Sequence, residues 1–172
     1  MYELTVHTPP AIEPISLAEA KNWLRVDNDA DDSLIETMIT SARMAAENYT
    51  NRKFITQTLK QDFQAGAVIV PLNAGPVQGD PILVIGSTDL EVDVDYTFNE
   101  STYAFQLNQM TTAKLSLTYV VGYGDSADDV PAPIKQAILL TMGKFYENRS
   151  DQVHRLPTAA QHLLNGYRLW IT

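Results

Sequence analysis

An α+β fold is what the sequence predicts: a helical bundle with a small antiparallel β-sheet or barrel inserted into it. Three observations predict it. Stretches of helical period at 16–52 and 130–149 flank a middle region whose apolar residues recur at every second position. A capping box opens the first helical stretch, and paired prolines open the second. Glycine and proline cut the middle region into five or six short segments.

Residues 1–15 read as an extended arm. Leu4 and Val6 alternate with polar neighbours, and Pro9, Pro10 and Pro14 prevent helix. The arm packs either on its own domain or on a neighbour. A helical hairpin spans 16–53. Ser16 and Glu19 form a capping box for a short helix from Leu17, with Leu17, Ala20 and Leu24 on one side. That helix ends before Asp27, because DNDADD offers side chains that favour local turns. Asp31, Asp32 or Ser33 caps the next helix, and Ser33 with Glu36 makes a second capping box. Ile35, Met38, Ile39, Ala42, Ala46 and Tyr49 form one continuous stripe along it. Acids at its start and Arg52 and Lys53 beyond its end suit the helix dipole.

The inserted β region covers 54–121. Strands are expected at 54–63, 67–72 and 82–85, with a loop of Pro71, Gly75, Pro76, Gly79 and Pro81 between the last two. Leu90, Val92, Val94, Tyr96 and Phe98 alternate with Glu91, Asp93, Asp95 and Thr97, which predicts a half-buried strand with an acidic face. Tyr103, Phe105 and Leu107 carry its partner, and Leu115, Leu117, Tyr119 and Val121 the clearest strand of the region.

A long helix then runs over 130–149. Ile134, Ala137, Ile138, Thr141, Met142 and Phe145 form its core stripe. Leu139, Leu140 and Tyr146 widen the apolar surface, so the helix either sits centrally or touches another chain. After a loop at 150–156, residues 157–167 read as a short helix and 168–172 as a tail.

At 172 residues the chain reads as one domain with a core of its own. It has no cysteine, which excludes disulfides and thiolate metal sites. No apolar run approaches a membrane span, and the first residues lack the pattern of a signal peptide, so the expected place of synthesis is the cytoplasm. The net charge of −9 comes without the basic stripe of a nucleic-acid binder, and it reads either as ordinary solubility or as a surface that does not stick to DNA passing nearby. The acidic turn starts like a calcium loop but has Asp32 and Met38 where glycine and a bidentate glutamate belong. His7, His154 and His162 lie apart from carboxylates at ligand spacing, so no metal site is expected. No phosphate loop, dinucleotide fingerprint or nucleophile elbow occurs, so neither an enzyme nor a cofactor is expected.

Three segments carry a resemblance: SLAEAKNWLRVDNDADDSLIETMITSARMAAENYTNR near the start, VPAPIKQAILLTMGKFYENR at 130–149, and LPTAAQHLLNGYRLW at the end. In this order and spacing they resemble the head–tail connector (adaptor) proteins of tailed bacteriophages and prophages. The first segment matches a short "LAEAK-x-x-LR-V" helix, an acidic turn and a long helix ending in "Y-T-x-R". The resemblance implies a structural virion protein, made in the host cytoplasm and resident in the neck of the particle. It implies a homo-oligomeric ring, commonly of twelve copies, docked beneath the portal protein. The ring extends the channel through which double-stranded DNA passes without specific binding, and presents a platform for a head-closure or tail-completion protein.

On this reading 156–172 is the portal-docking segment. Pro157 separates it from the preceding helix, and one helical face can carry Leu163, Leu164, Tyr167 and Trp170, with Arg168 and Leu169 beside them. Packing back onto the domain is the other use open to these residues. Leu139, Leu140, Tyr146 and Arg149 are the subunit-interface candidates. A reading from another class is a small ligand-binding module or hydrolase with a β subdomain, which requires a concave polar pocket.

Overall fold

In the computed structural model, which describes residues 2–91, 94–99, 102–148 and 156–170, the first helix starts where the sequence places it. The Glu19 amide donates to Ser16 Oγ at 3.2 Å, and the Ser16 amide donates to the Glu19 carboxylate at 2.9 Å. Helix α1 (Leu17–Leu24) ends at Arg25, whose φ of 57° turns the chain out of the helix.

Helix α2 (Asp32–Thr50) follows, and here one expectation fails. Ser33 and Glu36 form no capping box. Asp31 takes the N-cap position, and its side chain makes no bond to the first-turn amides. The acids of the turn have other partners. Lys21 Nζ lies 2.6 Å from Asp29 and 2.7 Å from Asp32, while the Tyr146 hydroxyl donates to Asp31 at 2.7 Å. Lys21 thereby ties α1 to the start of α2. The stripe of Ile35, Met38, Ile39, Ala42 and Ala46 is buried as expected, with Tyr49 half-buried at its end.

The middle region forms two antiparallel sheets rather than a closed barrel. Strands β1 (Tyr2–Thr8), β2 (Gln57–Phe63), β4 (Val77–Ile85), β5 (Thr88–Asp89) and β8 (Leu115–Val121) pair in the order β1-β2-β8-β4-β5. Strands β3 (Ile69–Pro71), β6 (Tyr96–Asn99) and β7 (Ala104–Leu107) make a smaller sheet in the order β3-β7-β6. The period of two in β2 and β8 turns Leu59, Phe63, Leu115, Leu117, Tyr119 and Val121 toward the smaller sheet. There they meet Val70, Tyr96, Phe105 and Leu107 in a second apolar core. The N-terminal arm packs on its own chain, as the edge strand β1.

Two strand expectations need correction. The predicted acidic-faced strand through 90–98 is a strand only over β6. Before it, the Glu91 amide donates to the Asp95 carboxylate at 2.9 Å, which bends the chain into a turn; Val92 and Asp93 lie outside the described residues. Conversely, the loop expected around Gly79 and Pro81 belongs to β4. The strand absorbs both residues in a register shift against β8 between Gln78 and Ile82.

Helix α3 (Ala132–Glu147) lies at the centre of the bundle, against α1, α2 and α4 (Thr158–Leu164). Ile134, Ala137, Ile138, Thr141 and Met142 are buried, but Phe145, predicted in the same stripe, is only half-buried. The central place explains the wide apolar surface of α3. Leu139, Leu140 and Tyr146 all pack on the helical core of this chain. Gly143 admits α1 closely, since a Cβ there would sit 3.3 Å from Trp23 Nε1.

A buried charge network joins the helices to the sandwich. Arg43 bridges Glu13, Nε to Oε2 at 2.6 Å, and Glu47 at 3.2 Å. Glu47 also takes bonds from Lys53 Nζ at 3.0 Å and the Phe54 amide at 3.2 Å. Burial opposes the charge on Arg43, but its bond to Glu13 and the nearby Glu47 outweigh burial and raise its pKa.

Candidate docking surface at the C-terminal tail

The end of α2 and the tail after α4 form one surface. Asn51, with φ of 54°, closes α2 and leaves the last carbonyls of the helix without intrahelical partners. The tail supplies one partner: the Leu169 amide donates to the Thr50 carbonyl at 2.7 Å. Asn51 Nδ2 donates back to the Leu169 carbonyl at 2.9 Å, and Arg52 Nε to the Tyr167 carbonyl at 2.5 Å. The Tyr49 hydroxyl donates to Asn165 Oδ1 at 2.6 Å. Four bonds from 49–52 therefore strap down 165–169.

The Arg168 guanidinium lies 4.9 Å from the Tyr49 ring centroid and 4.2 Å from that of Trp170, a cation between two π faces. Its charge also suits the negative end of α2. Trp170 is 71% exposed. An indole of that size, braced by an arginine and left in solvent, is the composition of an interface anchor. Nearby, burial pushes the Tyr123 hydroxyl above its ordinary pKa, against the opposing effect of Arg52.

The structure divides the candidate residues. Tyr167, Arg168, Leu169 and Trp170 come together on the end of α2. Leu164 is fully buried and Leu163 half-buried in the helical core. They cannot share one helical face with Trp170, because α4 stops at Leu164 and a 3₁₀ turn over Asn165–Tyr167 redirects the chain. Arg149 and His154 lie outside the described residues. Sequence reasoning missed the receiving half of the surface, Tyr49, Asn51 and Arg52, although these stand in the "Y-T-x-R" segment that carried the resemblance.

Among the described residues, no group of three or more His, Asp or Glu side chains is placed to hold a metal ion. No helix among them is long and apolar enough to cross a membrane.

Residues 14–74 match the family model described as phage gp6-like head–tail connector protein. That segment comprises the hairpin, the Arg43–Glu47–Lys53 part of the charge network and the entry into the sandwich, and over it the chain is similar to this family of connector proteins. No curated protein matches the chain. Among solved structures, the chain is similar to a component of the neck of an empty gene transfer agent (GTA) particle computed with C6 symmetry. That match has 18% identity and a TM-score of 0.77, covering 96% of this chain and 95% of the other. A component of the native GTA virion matches with 19% identity and a TM-score of 0.77, over 96% and 94% of the two chains. One from the native GTA neck computed with C12 symmetry matches with 19% identity and a TM-score of 0.72, over 98% and 94%. At these identities the likeness is one of fold.

Proposed function

We propose that the chain works as a single-domain adaptor in the neck of a phage or phage-like particle. Twelve copies form a ring beneath the portal, extend its DNA channel and offer a platform to a head-closure or tail component. The observation that carries this reading is the connector-family match over 14–74. The fold likeness to components of neck assemblies computed with six- and twelvefold symmetry supports it. Function in such a ring is geometric: contacts between unlike surfaces close under rotation and hold a channel open. Tight DNA binding requires neutralised phosphates, and a chain of net charge −9 is poorly suited to it. DNA then slides past rather than sticking.

Within this reading the tail docks on the portal. Trp170 is the anchor, Arg168 sets its direction, and Leu163 and Leu164 hold the segment to the body. The test is to add the purified chain to portal-bearing particles and image them. A rotationally symmetric ring below the portal is the expected result. Portals that stay bare at saturating protein reject the assignment.

A further inference from the structure

The charges around the strapped tail point to the kind of surface it meets. The chain carries 21 acidic and 12 basic residues, so an acid is usually within reach of a cation. Lys21, Arg43, Lys53, Lys60, Lys114 and Lys135 each lie against a carboxylate. Arg168 has no carboxylate against it among the described residues, although two aromatic rings hold it in place. From Leu156 to Trp170 the sequence has no acidic side chain, and the seat at 49–52 has none either. Arg52 lies in that seat and adds a second positive charge, its Nε already donating to the Tyr167 carbonyl. A chain that is acidic as a whole is therefore basic in this segment.

Arg168 is also short of an acceptor. Its Nε is buried and makes no hydrogen bond among the described residues. A buried N–H without a partner is unfavourable, more so on a charged group. The faces of Tyr49 and Trp170 attract the charge but offer no oxygen to the N–H. The carbonyl end of α2 supplies only a fraction of a negative charge. One of the two rings is placed to leave, since Trp170 is 71% exposed.

We propose that the surface on which the tail docks presents a carboxylate to Arg168, beside the apolar pocket that receives Trp170. As the indole enters that pocket it uncovers one side of the guanidinium. The carboxylate then takes Nε and a terminal nitrogen together, in the two-bond fork that arginine makes best. The occupant is thus an aspartate or glutamate of a protein partner. A phosphate has the same charge, but gripping a duplex takes many neutralised phosphates, and this surface brings two arginines. The inference rests on the portal-docking reading above and names the chemistry of the partner.

The test measures affinity for isolated portal protein from about 0.05 to 0.5 M salt, a range over which exposed charges become screened. Binding of the parent should weaken about threefold or more across it. Arg168→Gln should weaken binding at low salt by at least about tenfold and flatten the salt dependence. Arg168→Lys should keep the salt dependence and recover part of the affinity. Trp170→Ala should bind weakly at every salt concentration with the parent's dependence. Parent binding that ignores salt, or Arg168→Gln with the parent's affinity, overturns the carboxylate and leaves the docking tail standing. Arg168→Lys as flat as Arg168→Gln would mean that the arginine only braces the indole, which also overturns it. Duplex DNA captured by the parent and released by Arg168→Gln would put phosphate in the carboxylate's place and overturn it too. A parent that does not bind portal at any salt overturns the docking reading itself.

Discussion

Lys53 Nζ lies 3.0 Å from the carboxylate of Glu47, a side chain only 1% exposed. Arg43, itself buried, bridges the same carboxylate. Removing Glu47 takes the carboxylate from Lys53, leaves Arg43 with Glu13 alone, and frees the Phe54 amide where the chain enters the sandwich. Glu47→Ala should therefore cost about 3–5 kcal/mol, the range for breaking a buried ion pair from one side. Denaturant titration measures it, and a loss below about 1 kcal/mol would show the junction to be held by apolar packing alone.

Core substitutions on α3 should rank by burial rather than by side-chain size. Met142 is fully buried, so Met142→Ala should cost about 2–5 kcal/mol. Phe145, half-buried, should cost less on truncation despite its larger ring. The reverse order in denaturation midpoints would mean that Phe145 is more enclosed in solution than it is here.

The tail should separate stability from docking. Leu164→Ala removes a fully buried side chain and should cost about 2–5 kcal/mol in folding. Trp170→Ala, at an exposed position, should leave stability within about 0.5 kcal/mol. It should weaken portal binding by about thirtyfold, the equivalent of an anchor worth about 2 kcal/mol. Titration calorimetry against isolated portal measures the second effect. Equal affinity for the parent and Trp170→Ala would remove the indole from the docking role.

Acid should weaken the fold through identifiable carboxylates. Asp62 is held below its ordinary pKa, first by the Ser116 hydroxyl that donates to it and then by Lys114 at 2.9 Å. Glu19 is held low chiefly by the Ser16 amide. A carboxyl with a lower pKa folded than unfolded binds more protons when unfolded. Its contribution is therefore present above the unfolded value near 4 and lost as pH falls through the folded one. Stability should decline below about pH 4, and Asp62→Asn should flatten part of that decline. Solvent screening keeps the effect small. A variant with the parent's slope in this window would contradict the assignment.

The helical elements were legible in the sequence because their signals are local. Ser16 and Glu19 sit three residues apart and need only each other, and the stripe of α2 needs only its own period. What escaped was decided at long range. Ser33 and Glu36 have the spacing of a capping box, yet Lys21 and Tyr146 claim the acids of the turn and α2 begins from Asp31. Pro81 announces a loop, but β4 accommodates it because β8 pairs on both sides of the shift. The alternation through Leu90–Phe98 looked like one strand until a single side chain, Asp95, turned the backbone at Glu91. The candidate docking residues divided on the same principle. The composition of the tail was plain, but its seat at Tyr49–Arg52 lies more than a hundred residues away in sequence.

The strapped tail also has a mechanical meaning. A pull on Trp170 does not reach α4 first. It meets the bonds from Thr50, Asn51 and Arg52 to the tail, which lie side by side and share the load. From Arg52 the force enters β2 within a few residues, and β2 is flanked on both sides by β1 and β8. A strand drawn along its axis between two neighbours yields only when many ladder bonds shear together. On the proposed neck reading, tension between a portal above and a tail below would then be shared by the sandwich and the end of α2.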